Sequence, residues 1–231
     1  MITLYRTDKS IIGEFPVNSV KEAVEFAVRQ GISLEGANLK GVDLTGIDLK
    51  GISLEGANLK GVDLTGVDLE GADLKWINCI AAKFAGANLK GVDFTGSNID
   101  RADFEGANLI KTILEGANLS RVNFKWANLT GANFAGANFT EADLKLANFE
   151  GADLSDVNFE DADFANTNFA GANLDYAAIS LQCKSTGAII DDRFVAQLVY
   201  LLTRQDHSKC SEEVKRDLDI IKSLSVTNLL A

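Results

Sequence analysis

Large apolar residues recur at every fifth position of this chain, from Leu34 to Ile179. Two residues before each of these centres lies a small or β-branched residue, and the residue between them is usually polar, as in Ala37-Asn38-Leu39. Because successive side chains of an extended chain point to opposite faces, each triplet reads as inward, outward and inward. A flat strand and a 3.6-residue helix both lack a period of five, so we predict a coil in which short extended sides alternate with corners.

A longer period of 20 residues sets the number of sides in each coil. The segment Gly31 to Gly46 recurs letter for letter as Gly51 to Gly66. Asparagine fills the same outward slot once in every 20 residues, at Asn38, Asn58, Asn78, Asn98, Asn118, Asn138 and Asn158. Glycine most often stands two places after a centre, where a turning chain benefits from a residue without Cβ. We therefore predict four sides per coil, with stacked coils that place like residues above like.

The inward centres change from leucine to phenylalanine along the chain. The phenylalanine centres include Phe84, Phe104, Phe124, Phe134, Phe139, Phe149, Phe159, Phe164 and Phe169. Stacking of coils should align these rings as interior ladders. An interior filled in this way leaves no ligand cavity, and we predict no cofactor.

The motif A-(D/N)-L-x-G, seen at Ala37-Asn38-Leu39-Lys40-Gly41 and in part at Ala107-Asn108-Leu109, resembles the repeat of the pentapeptide-repeat protein family. The resemblance covers Gly31 to about Ser180. It implies an all-β solenoid, a right-handed quadrilateral parallel β-helix; the right hand also agrees with the usual handedness of parallel β connections. The best-described members of the family resemble double-stranded DNA in shape and charge and bind DNA gyrase.

Both ends of such a solenoid expose core and unpaired strand edge, so we predict helical caps at both ends. Residues 1–30 read as an N-terminal cap, a hairpin followed by a helix whose capping box pairs Ser19 with Glu22. Residues 31–180 form the β-helix, and residues 181–231 form a C-terminal helical cap. Apolar residues at helical spacing predict two helices there, with Phe194, Leu198, Leu201 and Leu202 on one and Val214, Leu218, Ile221 and Leu224 on the other. Their surplus apolar surface could also join two subunits in a homodimer.

Composition limits the other possibilities. The chain has 231 residues, of which 46% are apolar and 24% charged, and it shows neither a signal-like leader nor an uninterrupted membrane-spanning apolar stretch, so we expect a cytoplasmic protein. Cys79, Cys183 and Cys210 lack metal-ligand spacing, which predicts no metal site. The single histidine, His207, falls in a polar loop with no nucleophile assignable to it, and we predict no enzyme activity and no catalytic residue.

The net charge of −11 is concentrated at one end. Residues 141–175 contain nine acidic side chains and a single basic one, Lys145. Because Glu141 and Asp161 are corner residues of one side while Asp143 and Asp163 begin the next, coil stacking should align them in two adjoining columns with Glu160 beside them. Columns of this kind are a candidate partner-binding surface, and a solubilising wall is the alternative.

Trp126 and Leu146 form a second candidate site. They occupy the same outward corner in successive coils, so their side chains should lie together on the surface. A stacked aromatic and aliphatic pair is a candidate protein-binding site, unless a cap or loop folds over it. The asparagine ladder, by contrast, is interpreted as structural, because short polar side chains beside corners usually bind the local backbone.

Two functions remain from the sequence. The first is a rigid non-enzymatic scaffold that binds a protein partner through its wall or ends, without direct nucleic-acid or membrane binding. The alternative is a DNA mimic whose acidic C-terminal coils occupy the DNA-binding surface of DNA gyrase or another type II topoisomerase.

Overall fold

The computed structural model describes residues 1–179 and 186–189. The two helices predicted after residue 181, together with Cys183, His207 and Cys210 and the homodimer contact expected there, lie outside the described residues. The predicted C-terminal cap therefore stays a prediction.

The body of the molecule is a stack of 20-residue coils joined by parallel bridges. Each coil has four bridged positions, exemplified by the pairs Asn38 with Asn58, Asp43 with Asp63, Asp48 with Asp68, and Ser53 with Asp73. These four pairs open sides 1, 2, 3 and 4 of the solenoid, in chain order. An edge is named by the two sides that it joins, so that the 2/3 edge follows side 2. The bridges agree with the four sides predicted from the asparagine spacing.

A typical corner is closed by one hydrogen bond and joined to the next coil by others. The backbone N–H of Ala57 donates to the carbonyl of Leu54 across the corner at 2.9 Å, and Leu59 donates along the solenoid axis to Asn78 at 2.7 Å. The second corner residue, Gly56, has a φ of 67°. Glycine adopts this left-handed conformation at little cost, which explains why the repeat places it there.

The outward asparagines bind the local backbone, as the sequence predicted. The side-chain oxygen of Asn58 accepts a hydrogen bond from the backbone N–H of Lys60 at 3.2 Å, which caps the corner. Its amide nitrogen donates to the side-chain oxygen of Asn38 in the preceding coil at 3.1 Å. The ladder therefore stabilises corners and ties coils together.

The core fills the interior of the coils. The centres from Leu34 to Ile179 are buried, and phenylalanine rings stack along the axis as predicted. The centroids of Phe84 and Phe104 lie 4.7 Å apart, and those of Phe104 and Phe124 lie 4.9 Å apart. This aromatic column fills the interior behind side 2 in three successive coils.

A small α+β unit covers the first coil. Strands β1 (Ile2–Tyr5) and β2 (Ile11–Phe15) pair antiparallel, and helix α1 spans Val20–Arg29. The carbonyl of Tyr5 accepts a hydrogen bond from Asn38 at 2.8 Å, which attaches the unit to side 1.

The helix start differs in one detail from the predicted capping box. Ser19 Oγ accepts from the backbone N–H of Glu22 at 3.1 Å, as expected. The Glu22 carboxylate, however, accepts from the N–H of Asn18 at 3.0 Å, one residue earlier than a capping box requires.

Stacking continues beyond the predicted boundary at residue 180. Ile189 forms a parallel bridge with Asn168, and the carbonyl of Thr186 accepts from the N–H of Asn166 at 2.9 Å. Asn168 and Ile189 are 21 residues apart, whereas the earlier parallel bridges join residues that are 20 apart. One extra residue is therefore accommodated between Ile179 and Ile189 without loss of the side 3 pairing.

Candidate protein-interaction site

The 2/3 edge carries the two outward apolar residues singled out by the sequence. Its second corner residues are Gly46, Gly66, Gly86, Gly106, Trp126, Leu146 and Asn166 in successive coils. Trp126 has a φ of 56° and Leu146 a φ of 61°, so both occupy the left-handed conformation that suits glycine. Their exposed fractions are 57% and 48%. Trp126 and Leu146 together are called the apolar ridge.

The ridge does not alter the coil that carries it. The N–H of Trp126 donates to the carbonyl of Lys145, and that of Leu146 donates to Ala165, each at 3.1 Å, as at the glycine corners. A non-glycine residue in this conformation costs on the order of 1 kcal/mol, and more for a bulky side chain. The ridge shares this cost with other non-glycine corners, such as Arg101 and Glu141, and its exposed side chains recover little of it through packing.

Next to the ridge, two lysines neutralise part of the predicted acidic wall. Lys125 Nζ lies 2.9 Å from the carboxylate of Asp143, and Lys145 Nζ lies 2.9 Å from that of Asp163 and 3.3 Å from that of Asp143. The hydrogen bond to Asp163 raises the pKa of Lys145 above its ordinary value, with the charge of Asp143 adding to the effect. Side 2 therefore presents a lattice of alternating charges here, and the expectation of an uncompensated column at Asp143 and Asp163 needs correction.

The other predicted column lies on the 1/2 edge. Glu141 and Asp161 are second corner residues at φ values of 59° and 57°, and the N–H of Glu141 donates to the carbonyl of Glu160 at 2.8 Å. The structure thus brings these three acidic residues together on one edge, as predicted from the period. Their role as a partner-binding surface stays a prediction.

In the coils that precede these acids, the 1/2 edge carries basic side chains instead. Arg121 donates from Nη2 and Nε to one carboxylate oxygen of Asp100, at 2.7 and 3.0 Å, and Arg101 lies 3.8 Å from the other oxygen. Asp100 is buried, and charge-assisted hydrogen bonds such as those from Arg121 are stronger than neutral ones. The 1/2 edge is therefore basic in its middle coils and acidic in its last described ones.

Two further aromatic residues stand on the diagonally opposite 4/1 edge. Trp76 is 62% exposed, and its indole ring covers Gly96 in the next coil so closely that a Cβ at residue 96 would lie 2.1 Å from the ring. Tyr176 is 85% exposed at a φ of 62° on the same edge. The sequence analysis did not single out Tyr176, although its position in a glycine slot is the signal that marks it.

The described residues offer little to support catalysis. They contain no cluster of histidine, cysteine, aspartate and glutamate able to hold a metal ion. Cys79 is buried at an inward centre, and desolvation raises the pKa of its thiol, which keeps it in the unreactive protonated form. No helix in residues 1–179 is long and apolar enough to cross a membrane.

Comparison with protein families places most of the solenoid in one of them. A family model described as pentapeptide repeats matches residues 37–75, 77–116, 117–156 and 152–180, with eight copies. A search among proteins with curated descriptions found no match.

Several solved structures are similar to the chain. QnrB1, a plasmid-mediated fluoroquinolone resistance protein, is 20% identical with a TM-score of 0.42; the match covers 72% of this chain and 94% of QnrB1. A pentapeptide repeat protein from the thylakoid lumen of Arabidopsis thaliana is 27% identical with a TM-score of 0.33, over 53% of this chain and 74% of its own. One from Nostoc PCC 7120 is 26% identical with a TM-score of 0.33, over 54% and 84%.

Proposed function

Since this chain belongs to the pentapeptide-repeat family, whose members fold as right-handed quadrilateral β-helices and are generally non-enzymatic scaffolds, we propose that it is a scaffold that binds a protein partner through its 2/3 edge. The solenoid supplies a rigid support, because hydrogen bonds join each side to the coils before and after it. Partner recognition then depends on the outward residues, which can vary without disturbing the core.

The apolar ridge is the observation that carries this proposal. Trp126 and Leu146 combine exposure with a backbone conformation unfavourable for both residue types. Strained residues in a well-determined scaffold are typically retained for function. Aromatic residues framed by polar groups are also the usual anchors of protein interfaces.

Replacing both ridge residues with glycine, the usual residue at this position of the repeat, tests the proposal. The double variant Trp126→Gly with Leu146→Gly should fold normally. Its thermal unfolding should occur at a higher temperature than that of the wild type, because glycine relieves the backbone strain of both corners. In a crosslinking and capture experiment, the protein partner that is recovered with the wild type should not be recovered with this double variant. A gain of stability together with a loss of binding would separate function from folding.

Asn166→Gly provides the matched control. Asn166 occupies the next corner of the same edge at a φ of 59°, and asparagine tolerates this conformation well. Partner capture should be the same for this variant as for the wild type. Equal capture by the ridge variant and the control would contradict the proposal.

The acidic 1/2 edge favours a second candidate function, the occupation of the basic DNA-binding surface of a type II topoisomerase such as DNA gyrase. It is supported by the family resemblance and by nine acidic residues against one lysine in residues 141–175. We place this candidate surface on Glu141, Glu160 and Asp161 of the 1/2 edge, beside Asp143 and Asp163, which pair with Lys125 and Lys145.

A supercoiling assay with purified gyrase tests this candidate. The wild-type protein should inhibit supercoiling at low salt and less at moderate salt, since salt screens the attraction between the charged surfaces. The variant Glu141→Gln, Glu160→Gln, Asp161→Asn should lose this inhibition and its salt dependence while folding normally. Inhibition that survives in this variant but disappears in the ridge variant would instead assign any gyrase contact to the ridge.

A further inference from the structure

The 2/3 edge has a recess at its other end. In the first two coils its corners are Gly46 and Gly66, with open space around both positions. One opening of about 330 Å³ lies between helix α1 and the first coil, lined by Val28, Gly46, Ile47 and Asp48 among others. A second of about 300 Å³ shares Gly46 and continues to Gly66 and Val67. We call these two openings the recess.

The recess and the ridge lie at opposite ends of the same edge. The ridge occupies the fifth and sixth corners of the 2/3 edge, and the recess flanks the first and second. Five coil spacings separate Gly46 from Leu146, about 24 Å at the usual distance between stacked strands. The edge therefore has two projecting side chains at one end and two side-chain-free corners at the other.

This arrangement is self-complementary under two-fold symmetry. Consider an axis perpendicular to the solenoid that crosses the 2/3 edge midway between Gly86 and Gly106. Rotation about it brings a second copy antiparallel to the first, with its Trp126 opposite Gly66 and its Leu146 opposite Gly46. Isologous contacts of this kind, in which the same patch serves both subunits, are the commonest in homodimers.

Charge and hydrogen-bonding groups beside the edge also match under this rotation. On side 3, Asn148 comes opposite Asp48 and Asn128 opposite Asp68, which pairs amide donors with carboxylate acceptors. On side 2, Lys83, which pairs with Asp63 of its own copy at 3.0 Å, comes opposite Asp103.

Two further positions complete the pattern. Asp43 comes opposite Asp143, whose charge Lys125 and Lys145 already balance. Beyond side 3, Lys50 comes opposite Glu150. The antiparallel arrangement therefore brings no uncompensated like charges together on these two sides.

We propose that the chain forms an antiparallel homodimer through the 2/3 edge, with the apolar ridge of each copy seated in the recess of the other. The proposal rests on the protein-binding role of the ridge and specifies the partner as a second copy of the chain. An edge-to-edge contact between two rods is small, so the dimer should dissociate on dilution in the micromolar range.

Sedimentation velocity over about 1 to 200 μM measures this equilibrium. The wild-type protein should shift from monomer to dimer across that range. The ridge variant Trp126→Gly with Leu146→Gly should raise the dissociation constant at least about 30-fold, as expected for loss of an aromatic anchor. Gly66→Trp should do the same by filling the recess while leaving the ridge intact.

Gly116→Trp is the matched control for the recess variant. Gly116 has a φ of 63° with open space around it, but lies on the diagonally opposite 4/1 edge. Tryptophan is tolerated at such a corner, as Trp126 shows, so this variant should dimerise like the wild type. In a Trp76→Phe background, the emission of Trp126 should in addition shift to shorter wavelength as dimers form.

A wild-type protein that stays monomeric throughout the range overturns the dimer proposal. So does a dimer whose dissociation constant is unchanged in both the ridge and the Gly66→Trp variants, which would locate the contact elsewhere, for example in the predicted C-terminal helices. If the wild-type protein is monomeric and the ridge variant still loses a captured partner of another kind, the scaffold proposal survives while the dimer fails.

Discussion

The second residue of each corner is where single side chains matter most in this solenoid. Glycine fills most of these positions, and the others hold residues forced to a positive φ, among them both tryptophans of the chain. Because the corner hydrogen bonds persist at Trp126 and Leu146, the fold tolerates any of these residues at a local cost. Variation at this position changes the surface without changing the coil.

Gly96 should respond to substitution differently from the other corner glycines. Gly96→Ala and Gly116→Ala both place a Cβ at a positive φ, so each should lower the free energy of unfolding by roughly 1 kcal/mol. Only the change at residue 96 also meets the Trp76 ring, which must rotate towards solvent. In a Trp126→Phe background we therefore expect a red-shifted Trp76 emission for Gly96→Ala alone. Identical spectra for the two variants would show that the ring does not rest on Gly96 in solution.

The inward and outward assignment of neighbouring residues can be tested at Phe124. This ring is buried and packs against Phe104 and Phe134, so Phe124→Ala should cost roughly 3 to 5 kcal/mol of unfolding free energy. Lys125→Ala removes only a surface ion pair with Asp143 and should cost less than about 1 kcal/mol. Chemical denaturation measures both, and comparable losses would refute the assignment.

Residue roles that follow the period were predictable, and those that depend on long side chains were not. The five-residue period alone predicted which centres are buried and that Asn58 binds the backbone of the adjacent corner. The reach of Lys145 to carboxylates in two coils depends on the conformation of a flexible side chain, which composition does not specify. For the same reason the contact between Trp76 and Gly96 was not foreseen.

At the scale of the coil, one corner is built differently from its neighbours. The hydroxyl of Ser97 accepts from the N–H of Ile77 at 3.2 Å and donates to the carbonyl of Leu74 at 2.8 Å, in place of the direct bond between Ile77 and Leu74. Trp76 is the second residue of this corner. A buried hydroxyl from the next coil thus completes the turn.

Removing that hydroxyl should be costly although alanine is common in the slot. Ser97→Ala leaves a buried N–H and a buried carbonyl without their partner and should lower the unfolding free energy by about 1 to 3 kcal/mol. Thr112→Val is the control, because the carbonyl of Leu89 keeps a bond from Val92 when the Thr112 hydroxyl is lost. We expect a loss below about 1 kcal/mol there. A smaller loss at Ser97 than at Thr112 would show that the corner closes on its own.

The axial ladder on side 2 predicts a dependence of stability on pH. Hydrogen bonds from Thr65 and Lys83 lower the pKa of Asp63 below its ordinary value of 3.8. A lowered pKa stabilises the folded state above the unfolded value, and this contribution is lost as the pH falls through the folded pKa. Lys83→Met should therefore be less stable than the wild type at pH 7, and the difference should vanish on acidification below the pKa of Asp63. A difference that persists in urea titrations at low pH would assign it to packing of the lysine stem.

The elements at the N-terminus were readable because their signals are local. The antiparallel pair β1 and β2 and helix α1 occur in the order predicted for residues 1–30, and the helix begins after Ser19. The single extra residue before Ile189 was not readable, since the fivefold pattern stops at Ile179 and only the bridge to Asn168 reveals that stacking continues.

For the whole molecule, the uneven charge of the solenoid is the main surface property. Residues 76–135 hold six basic and five acidic side chains, whereas residues 141–175 hold one and nine. The length of the solenoid thus separates a nearly neutral middle, where the apolar ridge begins, from an acidic end. The apolar ridge therefore begins in a nearly neutral part of the solenoid and reaches its acidic end.

Stacking of 20-residue coils also determines how the protein should respond to force. Each coil is bonded only to the coil before and the coil after it, so tension applied between residues 30 and 189 loads the axial hydrogen bonds at one end first. In an optical-tweezers experiment the solenoid should lengthen in discrete steps as coils peel away. Each step should be roughly 60 to 70 Å, the extended length of 20 residues less one coil spacing. The extension of the protein under force would then increase in units of one coil.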